Sequence, residues 1–156
     1  MTRLGLLVLG VVVLAGCAST EPRVARTQNC NNPNQCTIKV INPTCGLFSC
    51  TAEVDFELTV LERGRNNFKL TWVLPEGYGF CDTAGDGVWL KEIDRNDQFD
   101  SPRAERPSGT GPCRFTEFQL RGKNTRSMPK EPYYYMIQFH GPDGKKYIID
   151  PRIMNG

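Results

Sequence analysis

The chain has 156 residues, with 19 Lys and Arg against 17 Asp and Glu and one histidine, for a formal net charge of +2. So even a balance supplies no basic field to hold nucleic acid, and nucleic-acid partners are excluded on that ground. The length fits one domain with one modest core.

Met1, Thr2 and Arg3 open the chain, and Leu4 to Gly16 follow without a charged or amide side chain. This is the charged start and short apolar core of a secretion signal. As a helix the run would reach only about 20 Å at roughly 1.5 Å per residue, too short for a hydrocarbon core of about 30 Å. At its end, Leu14, Ala15, Gly16 and Cys17 resemble the lipobox of bacterial lipoproteins at all four positions. The resemblance implies that residues 1–16 are a cleaved signal peptide. It also implies a diacylglycerol on the Cys17 thiol and commonly a further acyl chain, a palmitate for example, on the new amino group. At about 0.8 kcal/mol per buried methylene, two or three chains make attachment effectively permanent. Ala18 stands where the family's inner-membrane retention signal has Asp, so the resemblance points to the periplasmic face of the outer membrane. An ordinary secretion signal with Cys17 as a spare thiol is the plainer alternative, and a cysteine at that spot speaks against it.

Besides Cys17 the chain holds Cys30, Cys36, Cys45, Cys50, Cys81 and Cys113. An even set in an exported chain points to disulfides, because that compartment is oxidising and a small domain gains from staples. Many pairings are possible. The preferred ones are Cys45 with Cys50, closing a turn, and Cys81 with Cys113, closing the long middle loop, with Cys30 and Cys36 paired by default. A structural zinc site is the rival, but there is no C-x-x-C pair and His140 is the only histidine, so no metal or other cofactor is expected.

Residues 17–35 read as the lipidated N-terminus and a flexible tether, rich in Ser, Thr, Pro, Asn and Gln. Residues 36–156 form the domain. Val54, Phe56, Leu58 and Val60 alternate with Glu53, Asp55, Glu57 and Thr59, the period of a strand with one face buried. After a turn at Gly64–Asn67, Phe68, Leu70 and Trp72 resume the alternation, and the two runs read as a β-hairpin. Pro75, Glu76 and Gly77 break the second run, Tyr78–Cys81 is a short further strand, and Val88–Ile93 another. Asp94 to Pro112 contains Pro102, Pro107, Gly109, Gly111 and Pro112 and reads as an irregular loop with a functional or disordered role. Cys113–Leu120 is the next strand. Tyr133, Tyr135, Ile137 and Phe139 then alternate with Tyr134, Met136, Gln138 and His140, and the turn Gly141–Gly144 leads into a closing strand, Lys146–Ile149.

No segment carries a helical period, and about six to eight strands joined by Gly, Pro and Asn turns predict an all-β fold. We expect a disulfide-stapled β-sandwich of immunoglobulin-like topology, with a small β-barrel as the alternative. Cys50 and Trp72 suggest the immunoglobulin core, yet no second cysteine near Tyr133 completes that pattern. The segment from Tyr133-Tyr134-Tyr135 to Asp150-Pro151-Arg152-Ile153 resembles small exported β-sandwich proteins of Gram-negative bacteria. That resemblance brings no activity with it.

Catalysis finds little footing. A serine or cysteine nucleophile needs a general base, and His140 reads as an exposed strand residue beside a turn. Asp82, Asp86, Glu92, Asp94, Asp97 and Asp100 cluster in the middle of the chain. Two carboxylates can cleave a glycosidic bond, but a solvated loop explains such a run as well. Asp94, Asn96, Asp97 and Asp100 lack the glycine and terminal glutamate of a calcium loop, and Gly77, Gly79, Gly85 and Gly87 match no nucleotide fingerprint. Tyr134, Met136 and His140 are expected on the face away from the core, and Trp89 and Phe99 flank the irregular loop. Such aromatics can mark a binding surface, but in a two-layer sandwich most of them fill the core or cover an edge. The expectation is a non-enzymatic, lipid-anchored binding or accessory domain whose partner is an envelope protein or cell-wall polymer. The rivals are an inhibitor or immunity lipoprotein against a cell-wall hydrolase or toxin, and an envelope-polymer hydrolase working through the carboxylates.

Overall fold

A computed structural model of the chain describes residues 26–30, 35–61, 68–83, 85–91, 99–108, 110–122 and 133–155. The expected signal peptide, Cys17 and most of the tether lie outside them, as do Glu92, Asp94, Asn96 and Asp97. The described chain is all β: β1 (Thr27–Cys30), β2 (Gln35–Cys45), β3 (Cys50–Val54), β4 (Leu58–Leu61), β5 (Phe68–Val73), β6 (Gly87–Leu90), β7 (Phe99–Pro107), β8 (Phe115–Gly122), β9 (Tyr133–His140), β10 (Lys146–Ile149) and β11 (Arg152–Asn155). These form one mixed sheet in the order β1-β4-β11-β9-β10-β3-β2-β5-β8-β7, with β6 on the other edge of β9.

The sheet folds over on itself because β2 changes partners. Gln35–Lys39 pairs parallel with β5, and from Val40 onward the strand pairs antiparallel with β3. A register shift between Ile41 and Thr44 marks the second half, where Asn42 adopts a positive φ of 50° and Pro43 has no N–H to offer. Strands that switch sheets in this way make the corners of a sandwich. A second corner lies opposite: Gly79 pairs with His140 of β9, and Phe80 with Phe115 of β8. Pairing thus runs from β8 through β5, β2, β3, β10 and β9 and back to β8. The architecture is sandwich-like and closed at two corners. Four neighbouring pairs, β1 with β4, β4 with β11, β2 with β5 and β3 with β10, run parallel, so the strand order departs from the antiparallel sheets of the expected immunoglobulin-like topology.

The enclosed core is aromatic. Trp72, Tyr135, Phe68, Phe80 and Phe139 are fully buried. Trp72 and Tyr135 meet edge to face at 5.3 Å, and the indole N–H donates to the Tyr135 hydroxyl at 3.2 Å. Burial pushes the Tyr135 phenol far above its ordinary pKa. The three disulfides are Cys30–Cys36, Cys45–Cys50 and Cys81–Cys113.

Four sequence expectations are corrected. The alternating run at 53–60 is two strands: Asp55 turns back onto β2, accepting from the Lys39 N–H through Oδ1 while its own N–H donates to the Lys39 carbonyl, each at 2.8 Å. Beyond that break the burial phase reverses, so Thr59 is buried while Leu58 and Val60 are half-buried. The expected hairpin does not form either, since β5 pairs with β2 and β8 and β4 with β1 and β11. Within the expected loop 94–112, residues 99–107 form β7. Its prolines are tolerated because β7 is an edge strand with an irregular register between Asp100 and Arg103. Thr27–Cys30, assigned to the tether from composition, is a strand closed against β2 by Cys30–Cys36.

Candidate functional site

Two disulfide-braced features stand out, a polar corner and an apolar tip. The corner lies where Gly79 and Phe80 bridge β9 to β8. Gly79 is required there, because a Cβ on it would sit 2.0 Å from the carbonyl oxygen of Cys113. Cys81 follows the bridge, and before β6 the Asp86 N–H donates to the Thr83 carbonyl at 3.3 Å in a turn. Gly85 and Gly87 take positive φ values of 101° and 118° there, and a Cβ on Gly87 would strike the Phe118 ring at 2.2 Å. The turn folds Asp86 inward, leaving its side chain 1% exposed.

A buried carboxylate is costly unless its oxygens are satisfied. Asp86 Oδ1 accepts from Gln138 Nε2 at 2.8 Å, and Oδ2 accepts from the Cys81 N–H at 2.8 Å and faces His140 Nδ1 at 2.9 Å. An ionised carboxylate only accepts, so Nδ1 carries the ring proton in this pairing. His140 Nδ1 also lies 3.1 Å from Cys81 Sγ, and Cys113 closes the disulfide from the chain leading into β8. The imidazole is 22% exposed. The reading of His140 as an exposed strand residue is therefore corrected: it is on the outward phase of β9, but the turn carrying Asp86 covers that face.

The middle carboxylates do not gather in the described residues. Asp86 faces β9, Asp82 is exposed, and Asp100 sits on β7 across from Arg121 of β8. Glu92, Asp94 and Asp97 lie outside the described residues. Among the expected aromatics, Phe99 is buried edge to face with Tyr133 at 5.3 Å. Trp89 is half-buried across from Met136, and Tyr134 is exposed.

The tip joins β2 to β3. Cys45 and Cys50 close it covalently, and the Gly46 N–H donates to the Ser49 carbonyl at 2.8 Å. Between them Leu47 and Phe48 stand 96% and 100% exposed. Beneath, Tyr147 pairs with Cys50, stacks on Phe139 at 5.1 Å, and lies with its hydroxyl 3.0 Å from Cys45 Sγ. From Val40 to Ala52 no residue carries a charge. Strand periodicity does not single out Leu47 and Phe48, but the spacing does: two large apolar residues between cysteines five positions apart have too little chain to fold back into a core.

No protein-family model matches the chain, and a search of curated proteins finds no similar sequence.

Proposed function

We propose that the protein is a lipid-anchored, non-catalytic binding domain of the bacterial outer membrane, working from the periplasmic face. In this reading it captures an envelope protein through the Leu47–Phe48 tip. The observation that carries the binding role is the full exposure of two adjacent large apolar side chains on a disulfide-closed turn. Burying each in a partner is worth about 1.5–3 kcal/mol, and a braced turn loses little conformational freedom on binding. A protein pocket suits the tip better than a lipid surface, because interfacial segments set Lys and Arg beside their apolar side chains. The segment Val40–Ala52 has neither Lys nor Arg.

What supports the anchor is the Leu14-Ala15-Gly16-Cys17 motif and the pairing of the other six cysteines, which suits an oxidising compartment. The inhibitor reading shares that location and differs only in who the partner is. The hydrolase reading is weaker, since Asp86 is spent on Cys81, Gln138 and His140.

The test is a photo-crosslinking amino acid placed at Phe48 in cells, with Glu76, also exposed, as the control position. A discrete protein adduct at 48 and none at 76 is the expected result; lipid adducts only, or identical patterns at both sites, remove the tip from the function. Cys17→Ser should separately abolish lipid labelling. Normal processing and membrane retention of that variant would remove the anchor.

A further inference from the structure

We propose that the Cys81–Cys113 corner is a redox-gated zinc site: reduction of this disulfide by a dithiol creates a Cys81–Cys113–His140–Asp86 centre that binds Zn2+, and reoxidation expels the metal. The proposal stands apart from the tip and from the lipid anchor.

Geometry carries it. One ligand atom from each of the four residues lies within 4.8 Å of every other. A tetrahedral zinc with bonds of about 2.0–2.3 Å sets its ligands roughly 3.3–3.8 Å apart. His140 Nδ1 is 2.9 Å from Asp86 Oδ2 and 3.1 Å from Cys81 Sγ, so small outward shifts and the opening of the S–S bond are enough to admit the ion. Asp86 is already oriented, because Gln138 holds Oδ1 and the Cys81 N–H holds Oδ2; such supporting bonds are a regular feature of metal centres. The argument against zinc from the sequence rested on missing C-x-x-C spacing, and here the donors come together from three separate stretches of chain.

The two cysteines also stay together once the covalent bond is gone. The Asp82 N–H donates to the Pro112 carbonyl at 2.8 Å, Phe80 and Phe115 exchange backbone bonds at 2.7 and 3.3 Å, and Gly79 and His140 exchange two at 2.9 Å. This ladder brackets both sulfurs. The other disulfides have no such surroundings: Cys30–Cys36 is buried in the core and Cys45–Cys50 closes the tip. Among the described residues this is the one cluster with metal-ligating composition.

The chemistry balances with a dithiol as the reductant and a disulfide as the oxidant. A dithiol gives two electrons and two protons to the Cys81–Cys113 bond and becomes a disulfide, leaving two thiols. Zinc then displaces both thiol protons into solvent. The imidazole proton moves from Nδ1 to Nε2, so Nδ1 can ligate while the ring stays neutral. Reoxidation by a disulfide returns two electrons to the oxidant, reforms the S–S bond and removes both thiolate ligands.

The experiment uses the purified protein, reduced with a phosphine that is then removed anaerobically. Alkylation of each cysteine is followed by peptide mass spectrometry with and without one equivalent of Zn2+. Zinc should slow alkylation of Cys81 and Cys113 by about tenfold or more and leave Cys30, Cys36, Cys45 and Cys50 unchanged. Co2+ in place of zinc should give a thiolate charge-transfer band that disappears on reoxidation. His140→Ala and Asp86→Asn should each weaken metal retention against a chromophoric chelator, while Cys45→Ser/Cys50→Ser should not. Equal protection of all the cysteines, no protection at Cys81 and Cys113, or a Co2+ band unaffected by His140→Ala would each overturn the proposal. The wild-type alkylation pattern decides the matter even if a variant fails to fold.

Discussion

The tip and the corner are built from the same staple and use it in opposite ways. At the tip, Cys45–Cys50 closes a turn so short that Leu47 and Phe48 are held in water, where apolar side chains gain nothing for the fold. At the corner, Cys81–Cys113 ties distant segments together and polar groups are drawn inward, with Asp86 shut away among three partners. The Cys45–Cys50 staple, five residues apart, fixes a local shape and holds its enclosed side chains out in solvent. The longer one brings unrelated residues into contact and sets their chemistry.

The largest expected contrast comes from the same substitution in each region. Phe80→Ala at the corner removes a fully buried ring packed 5.5 Å from Phe118 and 6.4 Å from Phe139, and the lost transfer and cavity terms should cost about 3–5 kcal/mol in denaturant unfolding. A loss under about 1 kcal/mol would mean that the corner packs loosely and is no firmer than the tip. Asp86→Ala is next. It leaves the Cys81 N–H and the Gln138 amide without their acceptor, at a cost of about 1–3 kcal/mol. If chemical denaturation shows no change, the polar corner is not a stabilising network.

A pH titration sharpens the comparison from the tip side. The hydrogen bond with Tyr78, followed by removal from water, pushes the Tyr147 phenol up to about 12 from its ordinary value of 10.0. The fold therefore favours the neutral phenol. This contribution is intact below the unfolded value and is lost as pH rises from there towards the folded one. Stability should fall across that alkaline window, and Tyr147→Phe should flatten the fall. An unchanged alkaline profile in the variant would show that another group drives it. The smallest effect belongs to the tip itself: Phe48→Ala and Leu47→Ala should change stability by no more than about 0.5 kcal/mol. A larger loss in thermal melts would mean that the tip packs on the domain after all.

Several elements could be read from the chain because they depend on local periodicity. Tyr133, Tyr135, Ile137 and Phe139 all face inward along β9, Phe68, Leu70 and Trp72 along β5, and the Gly141–Gly144 turn leads into β10. Two-residue alternation records a buried face wherever the strand stays straight. It fails at Asp55, whose bonds to Lys39 end β3 and reverse the phase for β4. It also fails at β7, where prolines signal a loop unless the strand is known to lie at an edge.

The amino-acid sequence by itself determined the all-β character, the inward faces of β5 and β9, and a supply of cysteines that suits three local or loop-closing staples, because these follow from spacing along the chain. The expectation for Cys17 likewise rests on a linear motif. Only the tertiary structure decided which strands are neighbours and where β2 changes layers. It also joined Asp86 to His140, which are 54 positions apart, beside a disulfide closing a separation of 32. The local bond of Asp86, from the Cys81 N–H five positions away, gives no sign of His140. Their meeting depends on the Gly79–His140 and Phe80–Phe115 bridges, which form only when the sheet closes on itself.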